Sequence, residues 1–433
     1  MTHDLNHIYE TKDYKRARKA YVAQSAFEYF ITILITDAYL AKVLTAIGIS
    51  DSLAGIIASF VSFSFLFQLL SIGLATKTKR TKPVVITIDV AAQLFYMMIY
   101  AVPFLNLSVE IKSVITASLV MLGYFAKYLV SSIFFKWSNS FVDPLHRAEF
   151  SAGKEIISLM GGIVFTLAMG YAVDAFDASG NISGGFIFTA GIMFVLNLAN
   201  LISLLLIPDE APAEKTQNSA EKKGELMKHT FGNKSFRSIL VMTILWEVGR
   251  YASLGFMGTY KTNDLLMSIA TVQIINTGAN FVRMAVSKPF GKFTDKFSYA
   301  KGFQLGFAIA GLGFLLNTFT TPKTWWLIAV FTTLYYVSLA GLNQNSFNIL
   351  YKYVDNDYIV PALAIKNSIA GVLAFVASIV SGKILAWVQA NDNTIFGLHI
   401  YGQQLLSFIS FLLIIAAMLY AKFVLEKQKT IDE

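Results

Sequence analysis

"KPFGKFTDKF", residues 288–297, is a short run of lysines with one aspartate, one proline and one glycine, set between two long apolar stretches. On either side of it, apolar runs of about 20 residues recur along the whole chain, each long enough to cross a hydrocarbon core roughly 30 Å thick. The 433 residues are 55% hydrophobic and 14% charged, with Phe alone contributing 36. Soluble globular domains are not composed this way. A bilayer requires backbone polar groups to be satisfied within the chain, so the spans are expected to be helices and the fold an all-α integral membrane protein.

Breaks between the runs place spans near 21–43, 52–75, 83–104, 112–135, 152–173 and 185–207, then near 237–260, 266–287, 302–320, 325–350, 361–386 and 399–424. The long hydrophilic interval "PDEAPAEKTQNSAEKKGELMKHTFGNKS", residues 208–235, reads as a flexible cytoplasmic linker over 208–236. It joins two six-helix halves, 21–207 and 237–424, flanked by an N-terminal segment 1–20 and a tail 425–433. The first span follows the basic stretch "KDYKRARKAY" but has no small-residue cleavage site and carries Glu28 and Asp37, so it reads as retained rather than as a signal peptide.

Most loop lysines and arginines fall at the N-terminus, in the even-to-odd loops, in the linker and at the C-terminus. The opposite loops carry Lys42, Lys112, Lys261 and Lys323. Both termini are therefore expected on the cytoplasmic side of the cell membrane. The same distribution accounts for the net charge of +8 without nucleic acid. The absence of cysteine excludes disulfides, thiol catalysis and thiolate metal sites, and five scattered histidines point to no metal centre and no bound cofactor.

The halves also resemble each other. Glu28 precedes Gly73 by 45 residues, and Glu247 precedes Gly291 by 44. "NSF" occurs at Asn139–Phe141 and again at Asn345–Phe347, and Lys154 precedes Gly170 by 16 residues as Lys366 precedes Gly382. In the same order on equivalent helices, these matches argue for a duplicated six-helix unit, and two such units around a central site make a transporter.

"PFGKFTDKFSYAK" resembles the loop signature of the major facilitator superfamily, roughly Gly-x-x-x-Asp-Arg/Lys-x-Gly-Arg-Arg between the second and third helices of a half. Gly291, Asp295 and Lys296 match, Ser298 replaces the second glycine, and Lys301 is the base near the motif's end. The first-half counterpart "GLATKTKRTK" keeps Gly73, but Lys77 stands where the aspartate belongs. Physically, this stretch reads as a cytoplasmic turn in which Gly291 permits close helix approach and Asp295 accepts charge-assisted hydrogen bonds in one conformation. The resemblance implies twelve transmembrane helices in two pseudo-symmetric halves, with helices 1, 2, 4, 5, 7, 8, 10 and 11 lining a central cavity.

Charges inside spans cost about 2.5–3.5 kcal/mol each on insertion scales, so those that persist face protein or water. Glu28 and Glu247 are the favoured proton carriers, with Asp37 a third candidate better suited to a static role. Lys127 is the deepest lysine and a possible partner of Glu28. Asp89, near the end of span three, reads as paired with the basic 77–82 loop, and Lys154 and Lys366 read as snorkelling to the surface. In span eight Gln273, Asn276, Asn280 and Arg283 share one helical face. Amides that donate and accept, beside a guanidinium that grips oxygen, suit a hydroxyl-rich or anionic solute. Lys127, Trp246, Arg250, Tyr336, Asn343 and Gln344 complete the candidate substrate-binding set. Glu247 and Arg250, three residues apart, equally suit a static ion pair.

The function expected is secondary active transport of a small polar solute, a sugar or related polyol, by alternating access with proton coupling, in a chain that works as a monomer in the bilayer. Export of an organic anion or amphiphilic drug, or lipid or lysolipid flipping, are the alternatives. No nucleophile with a base, metal cluster or phosphate loop marks an enzyme.

Overall fold

The computed structural model describes residues 11–78, 80–143, 146–209, 231–354, 359–395 and 397–428. The chain divides into two compact units, one of Met1–Ile49 with Phe67–Gln217, the other of Ser50–Leu66 with Asn218–Glu433. This differs from the expected 21–207 and 237–424, because the first half of span two belongs to the second unit. Hydropathy shows where a chain crosses a bilayer but not which neighbours the crossing helix packs against. The linker reading falls largely on 210–230, outside the described residues.

The first unit is built from α1 (Lys12–Leu34) and α2 (Asp37–Ile47). After α3 (Asp51–Ala58) come α4 (Phe60–Lys77), α5 (Thr81–Met98), α6 (Val109–Asn139), α7 (Arg147–Ala178) and α8 (Ile182–Leu206). Helix α1 begins inside the stretch expected to be an N-terminal segment. The first span is broken: α1 and α2 meet at 43°, and Asp37 takes a left-handed φ of 48° just after the break. The core of this unit gathers Tyr21, Val85, Trp137, Phe141 and Leu204, with Trp137 Nε1 donating to the Pro208 carbonyl at 3.0 Å.

The second unit holds α3 and the start of α4, then α9 (Lys234–Leu254), a short helical segment over Met257–Asp264, α10 (Ile269–Phe297) and α11 (Tyr299–Asn317). It ends with α12 (Leu327–Tyr353), α13 (Ile359–Ala390) and α14 (Gly402–Phe423). Between α13 and α14, β1 (Thr394–Ile395) and β2 (Leu398–His399) form a small antiparallel hairpin pairing Thr394 with His399. Side-chain oxygens of Asn181, Asn233, Ser268 and Ser298 accept from backbone N–H groups at the helix starts that follow them, satisfying donors the first turn leaves open.

Among the described residues, ten helices are long and apolar enough to cross a membrane, or eleven if α1 and α2 count as one bent span. The expected count was twelve. The helix that falls short of that standard is α10, whose 29 residues would reach ~43 Å but which carries the polar stripe and the opening lysines.

The stretch 288–297 is not a turn. Helix α10 continues to Phe297 with Pro289 inside it, and α11 starts at Tyr299, leaving Ser298 as the joint. The residues themselves explain this: Phe290 and Thr294, four apart, are buried, while Lys288, Lys292, Asp295 and Lys296 are exposed, so the stretch is an amphipathic helix end. Phe290 seats directly on Gly341 of α12, where an added Cβ would lie 1.9 Å from the Phe290 ring. Gly341→Leu is therefore expected to destabilise the chain by about 1–3 kcal/mol through overpacking, read as a lower thermal midpoint in detergent. An unchanged midpoint would contradict this contact.

Candidate functional site

In the first unit, one wall is organised around Glu28. Ser25, Glu28, Tyr29 and Thr32 lie at i, i+3, i+4 and i+7 on α1, and Ser151, Lys154, Glu155 and Ser158 repeat that spacing on α7; with Lys127, Phe134 and Leu159 they line a cavity of about 470 Å³. Lys127 Nζ lies 3.0 Å from Glu28 Oε1 and donates to Thr32 Oγ1 at 3.1 Å. Gln24 Nε2 donates to the other carboxylate oxygen of Glu28 at 3.0 Å. The pair thus holds its charges by mutual attraction and hydrogen bonds while remaining partly open to the cavity. The lining on α7 went unread in the sequence apart from Lys154, although its helical spacing was a usable signal.

Two lysines expected to snorkel do not. Lys154 Nζ donates to Tyr21 Oη at 3.2 Å, lies 4.4 Å from the centre of that ring, and lines the Glu28 cavity. Lys366 is 0% exposed and donates to the Ser346 carbonyl at 2.6 Å and hydroxyl at 2.7 Å. Asp89 also departs from its expected partner: it accepts from Asn200 Nδ2 at 2.7 Å, and among the described residues no ion pair joins it to the 77–82 loop. A partner on a distant helix leaves no mark in local sequence, which is why proximity to the basic loop misled. Asp37, at the start of α2, is not among the residues lining the cavity.

In the second unit, Arg250 donates to Glu247 Oε2 through Nη2 at 2.6 Å and Nε at 2.9 Å, and through Nη1 to Tyr335 Oη at 3.3 Å. Its guanidinium lies over Tyr251 and Trp246, 4.7 and 5.7 Å from the ring centres. Trp246 in turn stacks on Tyr335, whose neighbour Tyr336 is half-buried. The cation is fully engaged by one carboxylate, one phenol and two ring faces.

On α10, Gln273 is buried and accepts weakly from Asn276 Nδ2 at 3.4 Å. Asn280 and Arg283 are half-buried. Arg283 lies within electrostatic reach of Tyr335. The stripe therefore runs from a bonded amide pair towards a guanidinium. Asn343 and Gln344 are exposed, whereas the next residue, Asn345, is buried and donates to Thr294 Oγ1 at 3.2 Å. That bond ties α12 to the end of α10.

The motif residues have looser surroundings than expected. A Cβ on Gly291 would meet only Gln344 Oε1, at 3.8 Å, so close helix approach does not require glycine in this arrangement. The tight glycine nearby is Gly302, where a Cβ would lie 2.3 Å from Asn345 Nδ2. Asp295 and Lys296 are exposed, and Lys296 Nζ sits 5.4 Å from the Phe297 ring centre. Gly73 lies in α4, with its surroundings outside the described residues.

A family profile described as MFS/sugar transport protein matches residues 20–382. A search of curated proteins by sequence finds no match. Among solved structures, a mutant of the nucleoside transporter NupG is similar with a TM-score of 0.72 and 14% identity, covering 94% of this chain and 99% of that one. A bacterial homologue of the human lysosomal transporter Spinster, in an inward-facing and unoccupied conformation, has a TM-score of 0.67 and 12% identity over 96% and 98% of the two chains. A D-xylose–proton symporter has a TM-score of 0.66 and 14% identity over 94% and 97%. At these identities the likeness speaks for the fold.

Proposed function

The chain belongs to the MFS/sugar transport protein family, and from that premise we propose that it carries a small hydroxyl-rich solute, a sugar or related polyol, by proton-coupled alternating access. The observation that carries this reading is the Glu28–Lys127 pair, 3.0 Å apart, in the wall of a cavity otherwise lined mainly by hydroxyl and charged side chains. Hydroxyls and an ion pair present donors and acceptors together, as sugars do. A carboxylate that alternates between its lysine and a desolvated setting gains and loses a proton as the protein changes state. The family description, MFS/sugar transport protein, supports a hydroxyl-bearing cargo.

Glu28 rather than Glu247 is assigned the proton, because Glu247 is held by two donors of Arg250. Asp37, apart from the cavity lining, keeps the static role. Helix α10 is assigned as the twelfth span, its stripe turned from lipid, which gives two six-helix halves with both termini cytoplasmic in the cell membrane and a working monomer. The Glu28–Lys127 ion pair in the cavity wall favours a polar over a lipid cargo. Arg283 keeps an anionic cargo as the second reading.

Uptake into proteoliposomes of a panel of sugars, organic anions and amphiphiles, with and without a pH gradient, tests the assignment. Sugar accumulation that requires the gradient is expected. Uptake of anions but no sugars would reverse the order of cargoes. In the same assay Arg283→Gln is expected to raise the half-saturating solute concentration about 10–100-fold, the worth of a charged hydrogen bond. An unchanged value for every accepted solute would make Arg283 structural.

A further inference from the structure

The first turns of α1 carry a basic face that the transport reading does not use. Lys12, Lys15, Arg16 and Lys19 stand at i, i+3, i+4 and i+7, on one side of the helix, and all four are exposed. Ala17, Ala20, Tyr21 and Gln24 repeat that spacing five residues on, roughly 140° round the helix, and all four are buried. The buried side fixes the rotation of α1. Tyr14 packs edge-on against Phe141 with ring centres 5.3 Å apart, and Arg18 donates to the Phe141 carbonyl at 3.4 Å. The basic side is therefore held outward.

Left to itself, this arrangement opposes the helix. Lys12 and Arg16, and likewise Lys15 and Lys19, are like charges four residues apart, which repel. Lys12 and Lys15 also lie in the first turn, at the positive end of the backbone dipole. The acid of that turn is Asp13, and among the described residues no carboxylate forms an ion pair with Lys12, Arg16 or Lys19. Loop cations that serve only to orient a chain need no common face. Four that share one, with their repulsion unrelieved by the chain, call for an anion from outside.

The level of the face selects that anion. Ala17, Ala20 and Tyr21 share a core with Trp137 at the end of α6, with Phe141 just beyond it, and with Leu204 and Ile207 at the end of α8. Ile202 and Leu205 on α8 are exposed apolar side chains, which in a spanning helix meet hydrocarbon. The apolar belt of α8 thus reaches the level of Ala17, and the basic face begins there, at the depth of the headgroups. From it α1 runs unbroken to Leu34. A cluster of Lys and Arg directly flanking a span is drawn to anionic phospholipid, and its long apolar stems can lie along the membrane while the charged ends reach phosphate.

We propose that Lys12, Lys15, Arg16 and Lys19 form a binding face for the headgroup of an anionic phospholipid, which relieves the repulsion in the first turns of α1 and holds them at the membrane surface. This assignment is independent of the cargo and of proton coupling. Only the choice of leaflet rests on the cytoplasmic placement of the N-terminus, and a detergent micelle has no sides, so an inverted chain would still bind.

Native mass spectrometry of the full chain released from neutral detergent, titrated with dioleoyl phosphatidylglycerol or dioleoyl phosphatidylcholine, counts the lipids bound. The first phosphatidylglycerol is expected to bind about tenfold or more tighter than phosphatidylcholine, and less tightly as salt rises. Lys12→Gln, Lys15→Gln, Arg16→Gln and Lys19→Gln are each expected to lower that affinity about fivefold, and the quadruple variant to bind both lipids alike. These side chains are exposed, so the variants are expected to fold. Lys323→Gln, in an opposite loop, is expected to keep the preference. Equal affinity for the two lipids in the wild type, or a preference that survives in the quadruple variant, would overturn the proposal. Displacement of phosphatidylglycerol by inorganic phosphate at matched ionic strength would make this a site for a free anion and overturn it as well.

Discussion

Glu28→Gln is expected to abolish proton-driven accumulation of solute while leaving gradient-free exchange within about threefold of wild type. The side chain sits 3.0 Å from Lys127 and accepts from Gln24, and glutamine keeps its shape and an oxygen that accepts from Gln24 without a titratable proton. A carrier locked in the neutral form still reorients with cargo but no longer links that step to the pH difference. With one proton per solute, each pH unit is worth 1.36 kcal/mol, or about tenfold in accumulation. The expected loss is therefore about tenfold per pH unit imposed, down to simple equilibration. Equal accumulation in wild type and variant would remove Glu28 from the coupling step.

Arg250→Met is expected to cost about 3–5 kcal/mol of stability, because it strands the Glu247 carboxylate among Trp246, Tyr251 and Tyr335. The two side chains are 18% and 14% exposed, so solvent screens the pair little. The double variant Glu247→Gln with Arg250→Met removes both charges and is expected to recover most of the loss, a coupling that a double-mutant cycle isolates. Thermal midpoints of the four proteins in detergent provide the comparison. Additive losses would show that the arginine stabilises through its ring contacts alone, and proton-driven uptake lost in Glu247→Gln as in Glu28→Gln would return Glu247 to the coupling step.

The apolar runs made most of the fold legible, because a bilayer tolerates few other solutions. Departures occur where neighbours decide. Residues 288–297 look like a turn by composition, yet Phe290 finds Gly341 and the helix continues. The break before Asp37 carries no proline or glycine to announce it, and depends on how α1 and α2 pack. In the site, Glu28 and Lys127 were readable as buried opposite charges, and the α7 lining follows a spacing that sequence displays. Lys366 was not readable: nothing local shows that its ammonium turns inward to Ser346 instead of outward to water. Asp89 needed Asn200, more than a hundred residues away, to be understood.

The most direct test of proton-coupled transport is the external pH of a weakly buffered suspension of de-energised proteoliposomes when a sugar from the accepted panel is added. Symport predicts a transient alkalinisation that follows sugar entry, absent in Glu28→Gln. Sugar entry at the wild-type rate with no change in external pH would contradict the account.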